Sequence, residues 1–327
     1  MGEAEKNRHN GSPDRAAQAV IYETPFDEFW RLFKRDRLAM VGLVVLVLLL
    51  FMAVAGKALT EWWVVFDPST VNLVDKFKSP LSQVSTLVPV DTRPLLGVYI
   101  LGTDELGRDV FARMLQGSFV SLSIGFIAVG ISVFIGILLG GLAGYYGKLR
   151  LGIMTVDTLI MRFTDVMLCF PTFFLILTVV ALLPPSIYNI MIVIGVTSWM
   201  GTARFVRAEF LALREQDFVV AAQAMGLPER RIIFLHMVPN AIAPVLVSAT
   251  IGVATAILTE SALSFLGFGV QPPFATWGNI LSDGKGFIFD APWLFFIPGL
   301  AILVVVLAFN LVGEGMREAL NPKLRQR

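Results

Sequence analysis

Cysteine and histidine are nearly absent from this chain of 327 residues, and charge is sparse. The single Cys169 excludes an intrachain disulfide framework and any multi-cysteine metal site. It lies in an apolar run, which predicts a buried, inert thiol. His9 and His236 make no ligand cluster, and His236 reads as an exposed or capping side chain. Charged residues are 16% of the chain, against roughly 25% in soluble domains. The net charge of +1 gives no global bias toward nucleic acid or acidic partners. No GxxxxGK(S/T) phosphate loop occurs. The nearest string, Gly141 to Lys148, has the wrong glycine spacing and is followed by Leu149, so the hydroxyl that Mg²⁺ needs is missing. HExxH, GxSxG and Cys/His clusters are missing too, and no catalytic residue, bound cofactor or metal is assigned to the chain. The first twenty residues are polar without an apolar h-region, so no cleavable signal peptide is expected.

What is abundant is hydrocarbon. Hydrophobic residues make up 56% of the chain, and mean hydropathy is +0.73. Crossing roughly 30 Å of bilayer core takes about 20 apolar residues. Six stretches qualify, at about 38–58, 120–144, 155–182, 187–208, 240–266 and 292–313. Pro171 falls inside the third and predicts a bend. Ahead of the first span, Thr24, Pro25 and Asp27 form a helix start. Phe26, Phe29, Trp30 and Phe33 then follow on one face, with Arg31, Lys34, Arg35 and Arg37 elsewhere, as in a helix lying flat among lipid headgroups.

The expected order is a disordered cytoplasmic tail (1–23), an interfacial amphipathic helix (24–37) and a first transmembrane helix (38–58). An external segment with some strand (59–119) comes next. A five-helix core (120–313) contains a cytoplasmic segment at 217–237, and a cytoplasmic tail (314–327) ends the chain. This is an all-α membrane protein with six transmembrane helices. Orientation follows from Lys and Arg. The inner segments 1–37, 145–154, 204–239 and 314–327 hold seven, two, five and four of them, whereas the short outer loops 183–186 and 267–291 hold none and one. Both termini are therefore expected in the cytoplasm.

Two polar stretches interrupt the hydrocarbon. The first, FVVAAQAMGLPERRIIFLHMVP from Phe218 to Pro239, reads as two short helices with a break. Gly226 suits a helix end with positive φ, Pro228 suits the first turn of the next helix, and Glu229 suits its positive end. Ala221, Ala222 and Gly226 leave room for another protein to approach. The second, GTDELGRDVFAR from Gly102 to Arg113, reads as a helix capped by Thr103 with Asp104 and Glu105 in its first turn and Asp109–Arg113 paired at i, i+4. Taken by itself, it reads as a solvated face.

The Ala-Ala, Gly, Pro spacing of the first stretch resembles the EAA motif of ABC-transporter permease subunits. The second stretch, GGLAGYYG from Gly140 to Gly147, and LSFLGFGVQPP from Leu263 to Pro273 with Trp277-Gly278-Asn279, are similar to one branch, the dipeptide/oligopeptide/nickel importers. The resemblance covers residues 25–320. It implies a type I ABC importer permease fold in a bacterial or archaeal inner membrane. The implied partners are a homologous second permease, two ATPase subunits that hold ATP and Mg²⁺, an external solute-binding protein and the lipid bilayer, with no nucleic acid. It also implies that 217–237 docks on the ATPase, through Val220, Ala221, Ala222, Gly226, Pro228, Arg230, Arg231, His236 and Pro239. Val220 departs from the family's usual Glu. The resemblance likewise marks Gly102, Thr103, Asp104, Gly107, Arg108, Asp109 and Arg113 as an external motif.

Ionisable groups at membrane depth are functional candidates. Arg162 and Asp165 are spaced to pair with each other, and with Asp157 they read as structural anchors. Glu260 stays open between hydrogen bonds from Thr259 or Ser261, contact with a partner permease, and the solute pathway. The ladder Gly136, Gly140, Gly144 favours close helix packing, within the chain rather than between copies. Two other classes remain. An ion-driven secondary transporter would use a buried carboxylate and an inverted repeat, which is not apparent here. A membrane scaffold would need neither. Nickel chelates and oligosaccharides stand beside peptides as solutes of the branch.

Overall fold

The computed structural model describes residues 25–320. The tail at 1–23, the Thr24 cap and the chain beyond 320 lie outside the described residues. Helix α1 (Pro25–Arg35) meets α2 (Arg37–Lys57) at Asp36, whose carboxylate accepts from Leu38 N at 2.9 Å and Ala39 N at 3.2 Å. Such a cap is worth about 1 kcal/mol. The aromatic face of α1 does not lie wholly toward lipid. Phe33 is buried, and Phe29 and Trp30 pack beside it on the core formed by α2 and the last helix. Phe26 is exposed, and Lys34 lies over the Trp30 ring at 5.1 Å.

Four helices are long and apolar enough to cross a membrane: Arg37–Trp62, Val110–Tyr145, Glu229–Phe265 and Trp293–Ala319. The first is α2 with a π turn at its end, and the second and fourth are α3 and α12. Two bent pairs raise the number to six. Helices α4 (Val156–Cys169) and α5 (Thr172–Leu182) meet at 83°, at Pro171. Helices α6 (Ile187–Val196) and α7 (Trp199–Arg214) meet at 41°. The second break has no proline. Thr197 turns its hydroxyl back to Val193 O at 2.6 Å, where the helix ends.

Helix α3 begins at Val110, ten residues before the expected span, so residues 110–119 are already helical. Its early polar residues are satisfied inside the protein. Gln116 Oε1 accepts from Ala275 N at 2.9 Å, Ser118 donates to Leu115 O at 2.7 Å, and Ser121 Oγ accepts from Trp277 N at 3.2 Å. At the other end of the chain, α12 continues to Ala319 rather than giving way to a tail at 314.

The glycine ladder packs α3 on α7 within the chain. A Cβ on Gly136 would sit 2.6 Å from Thr202 Cβ, one on Gly140 would strike Ala203 O, and one on Gly144 would sit 2.5 Å from Phe210 Cβ. Backbones that close need side chains of one hydrogen.

The insert between α2 and α3 carries one small antiparallel pair, β1 (Ser82–Gln83) with β2 (Val98–Tyr99), in register Ser82↔Tyr99. Buried Asp75 organises it. Its Oδ2 accepts from Ser85 N and from the Tyr99 hydroxyl, both at 3.0 Å, and Lys78 Nζ lies 2.9 Å from Oδ1. Burial alone would raise the Asp75 pKa, but these donors together hold it below the usual carboxylate range. A second small hairpin, β3 (Arg150–Leu151) with β4 (Met154–Thr155), joins α3 to α4.

Candidate functional site

The polar island folds as a block on the ends of three helices. Helix α7 runs into α8 (Asp217–Ala224), and a one-turn α9 (Glu229–Arg231) opens onto a π turn (Ile232–Met237) and the long α10 (Val238–Phe265). Between α8 and α9, Gly226 has φ of +72°. Its N–H reaches Gln223 O at 2.9 Å, and Leu227 N reaches Ala222 O at 3.2 Å. That bond pair is a Schellman motif, which needs a left-handed residue at Gly226. Pro228 stands one position before the first helical residue of α9, as its N-cap and not inside its first turn. Its carbonyl accepts from Arg231 N at 2.8 Å.

Alternate positions of the block face in and out. Val219 and Ala222 are buried with Ile232 and Met237 against Val206 and Phe210 of α7 and Ala241 and Val245 of α10. Ala222 therefore builds the block and is not part of an outer surface. Ala221, Gly226, Arg230 and Arg231 are exposed, as is Pro239 in the first turn of α10. Val220 is 50% exposed and Met225 72%, and Phe218, Phe234 and Leu235 add further apolar surface. His236 is half-buried, and its carbonyl accepts from Asn240 Nδ2 at 2.6 Å. Helix α3 is tied in as well. The Tyr146 hydroxyl donates to Glu229 Oε2 at 2.9 Å, and Arg214 Nη1 donates to Tyr145 O at 3.3 Å. The bond to Glu229 raises the Tyr146 pKa, because that carboxylate favours the protonated phenol.

The Gly102–Arg113 motif is not the expected solvated helix. Residues 102–109 form a tight loop, and Thr103 pairs with Asp109 in a β-bridge. The hydroxyl of Thr103 donates to Asp75 O at 2.5 Å instead of capping a helix. Gly102 and Gly107 have φ of +80° and +71°. A side chain on Gly102 would meet Lys78 O at 2.6 Å, and one on Gly107 would strike Asn72 O. Asp109 caps α3 by accepting from Phe111 N at 2.9 Å, and it does not pair with Arg113. Burial raises its pKa to about 6, against the pull of the Phe111 and Ala112 amides. Arg113 runs inward, with its side chain 4% exposed. It bridges Asp104 Oδ2 at 2.7 Å and Asp283 Oδ2 at 2.8 Å, and Arg108 Nε shares Asp104 at 2.7 Å. Asp283 lies in α11 (Trp277–Gly284), so the network clamps insert, α3 and α11 together. Sequence reasoning missed Asp283, which sits in an ordinary-looking Ser-Asp-Gly-Lys turn.

The membrane-depth acids also find other partners than expected. Asp165 Oδ1 pairs with Arg204 Nη2 at 2.5 Å, and Asp157 makes a two-pronged pair with Arg207, one prong being 2.6 Å from Nη2 to Oδ2. Both bonds fasten α4 to α7. Arg162 is exposed and pairs with neither, and Cys169 is exposed rather than buried. Glu260 is 0% exposed and takes its hydrogen bond from Ser264 Oγ at 2.7 Å. The Thr259 and Ser261 hydroxyls also donate to the backbone carbonyls of Thr255 and Ile257. In this conformation Glu260 reaches neither a partner surface nor a pathway.

Residues 132–326 match the family described as the binding-protein-dependent transport system inner membrane component. Residues 24–80 match the N-terminal TM domain of oligopeptide transport permease C. The dipeptide transport system permease protein of Alkalihalophilus pseudofirmus is 38% identical over 92% of this chain and 91% of its own length. The di/tripeptide permease of Pseudomonas aeruginosa is 39% identical over 94% and 95%. The oligopeptide permease of Bacillus subtilis is 36% identical over 90% and 88%. Among solved structures, an inward-facing MetNI methionine ABC transporter chain aligns with TM-score 0.50 at 18% identity, over 65% of this chain and 98% of its own. Shared fold and extended sequence identity agree: this chain belongs to the family of binding-protein-dependent transport system inner membrane components.

Proposed function

We propose that this chain is one of two homologous permeases of an ATP-driven importer of di- and oligopeptides. It lies in the inner membrane with both termini in the cytoplasm, and it is not itself catalytic. ATP and Mg²⁺ belong to two partner ATPase subunits, because the chain has no phosphate loop. Peptide is the solute named for relatives that match along nearly all of this chain. An external binding protein delivers it.

The α8–α9 block is the observation that carries the coupling role. It is a knob of mixed apolar and charged surface whose core is shared with α7 and α10 and whose Glu229 is bonded to Tyr146 at the end of α3. A push on the knob therefore moves the inner ends of three helices together. Such a rigid unit can bias two packings of the spans, which is what alternating access needs. Val220 offers the ATPase an apolar contact where a carboxylate is usual. An ion-driven carrier would need its coupling carboxylate within reach of water, and Glu260 is walled off. The test is uptake of labelled dipeptide by proteoliposomes carrying the co-purified complex, with binding protein outside and ATP trapped inside. Uptake is expected only with ATP. Uptake by this chain alone, driven by a proton or sodium gradient, contradicts the proposal.

A further inference from the structure

Helix α4 presents two exposed edges with different chemistry. Leu159, Phe163, Val166 and Phe170 fall on one side, and all are exposed. Arg162, Asp165 and Cys169 follow one another at three- and four-residue steps on the other, so they share an edge. Arg162 and Cys169 are exposed, and the Asp165 and Arg204 side chains are 46% and 50% exposed. The inner side of α4 is fixed by buried Thr164 and by Met167 packed on Trp199, Met200 and Ala203, and exposed Phe163 stacks on Trp199 at 5.9 Å at its margin. The polar edge is therefore held outward and has no room to turn in.

Within the bent third span this edge runs far along α4. Asp165 is nine residues into α4, about 13 Å along it, and Cys169 is about 20 Å along it at the Pro171 bend. A carboxylate at such depth is not tolerated against hydrocarbon. An arginine can reach along its own stem to an interface, but Asp165 cannot. A covering protein would have to supply a carboxylate for Arg162, which has no ion partner among the described residues. Water needs no such match. We propose that the α4–α7 edge carrying Arg162, Asp165, Cys169 and Arg204 faces water inside the membrane, as part of the wall of the solute passage. This rests on the permease reading above.

Cys169 is a native reporter for it. The complete complex in proteoliposomes is treated with a membrane-impermeant cationic methanethiosulfonate. Modification is followed by the intact mass of this subunit, in the nucleotide-free state and after trapping with MgATP and vanadate. The thiolate is the reacting species and needs water, so Cys169 reacts in one state and about tenfold more slowly in the other. Arg162→Cys in a Cys169→Ser background shows the same contrast. No reaction in either state, with full reaction after denaturation, means that lipid or protein covers the edge and overturns the proposal. Equal rates in both states also overturn it, since a static surface is not a passage wall. ATP-driven uptake by the same proteoliposomes keeps the two readings apart. Uptake with an unreactive Cys169 removes the passage wall alone, whereas loss of ATP dependence removes the permease reading.

Discussion

Gly226→Val separates folding from coupling. Gly226 closes the α8–α9 turn at φ of +72°, and a Cβ built there meets no heavy atom within 4 Å. The chain thus has room for valine, and the cost inside the subunit is the left-handed backbone, about 1–2 kcal/mol for a residue with a Cβ. Against a whole membrane domain that is small, so the variant should insert and accumulate as the parent does. Against one turn it is large, lowering the population of the docking-ready geometry by a factor of about 5–30. The isopropyl group then projects from the same surface as Met225. Uptake at matched membrane abundance should lose most of the parental rate, and ATPase co-purification should fall with it. Gly226→Asn should retain far more of both, because asparagine visits the left-handed region readily. Val220→Glu should also be tolerated far better, as the charge usual in the family. If Gly226→Val transports like the parent, the α8–α9 block is not the coupling element.

Three further outcomes follow from the packing. Arg113→Ala leaves Asp283 with only the 3.5 Å contact to Arg108 and removes half of the support for Asp104. Breaking a buried pair costs about 3–5 kcal/mol, and the lower end applies because Arg108 still holds Asp104. The thermal midpoint of the purified complex should drop, with no rescue by Arg113→Lys, which lacks the fork for two carboxylates; an unchanged midpoint would show that the clamp is idle. Gly136→Leu drives a side chain into Thr202 and should reduce membrane abundance through overpacking of about 1–3 kcal/mol. Gly130→Leu, where a Cβ meets nothing within 4 Å, should be silent, and equal abundance of the two would contradict the α3–α7 contact. Asp109 has a folded pKa raised to about 6, so its contribution to stability is present at acid pH and is lost as pH rises through that value. Between about pH 4 and 6 the parent should therefore lose stability relative to Asp109→Asn; parallel melting curves would exclude a titrating, desolvated Asp109.

Local features were legible in the sequence. The apolar run of α2 depends on one contiguous stretch, and the bend at Pro171 and the positive φ of Gly226 depend on residues within one turn. The misreadings share one physical cause, partners that are remote in the chain. Gln116 looks like a polar residue outside the span until Ala275 meets it, so α3 seemed to start too late. Arg113 has a carboxylate four residues back, yet it bonds Asp104 and an acid 170 residues away. Asp157 and Asp165 take arginines from α7 because antiparallel neighbours bring 157 beside 207 and 165 beside 204. The break at Thr197 carries neither proline nor glycine at its centre and leaves no strong local signal.

A single cross-link tests the central claim that energy enters through the α8–α9 block. Met225, highly exposed beside Gly226, is replaced by cysteine in a Cys169→Ser background and tethered to a short photo-reactive group in membranes that hold the whole complex. The account predicts attachment to the ATP-hydrolysing subunit, with thiol labelling of intact cells blocked until the cytoplasmic face is opened. Labelling of Met225→Cys from outside intact cells, or cross-linking that never reaches an ATPase in membranes that still transport, would contradict it.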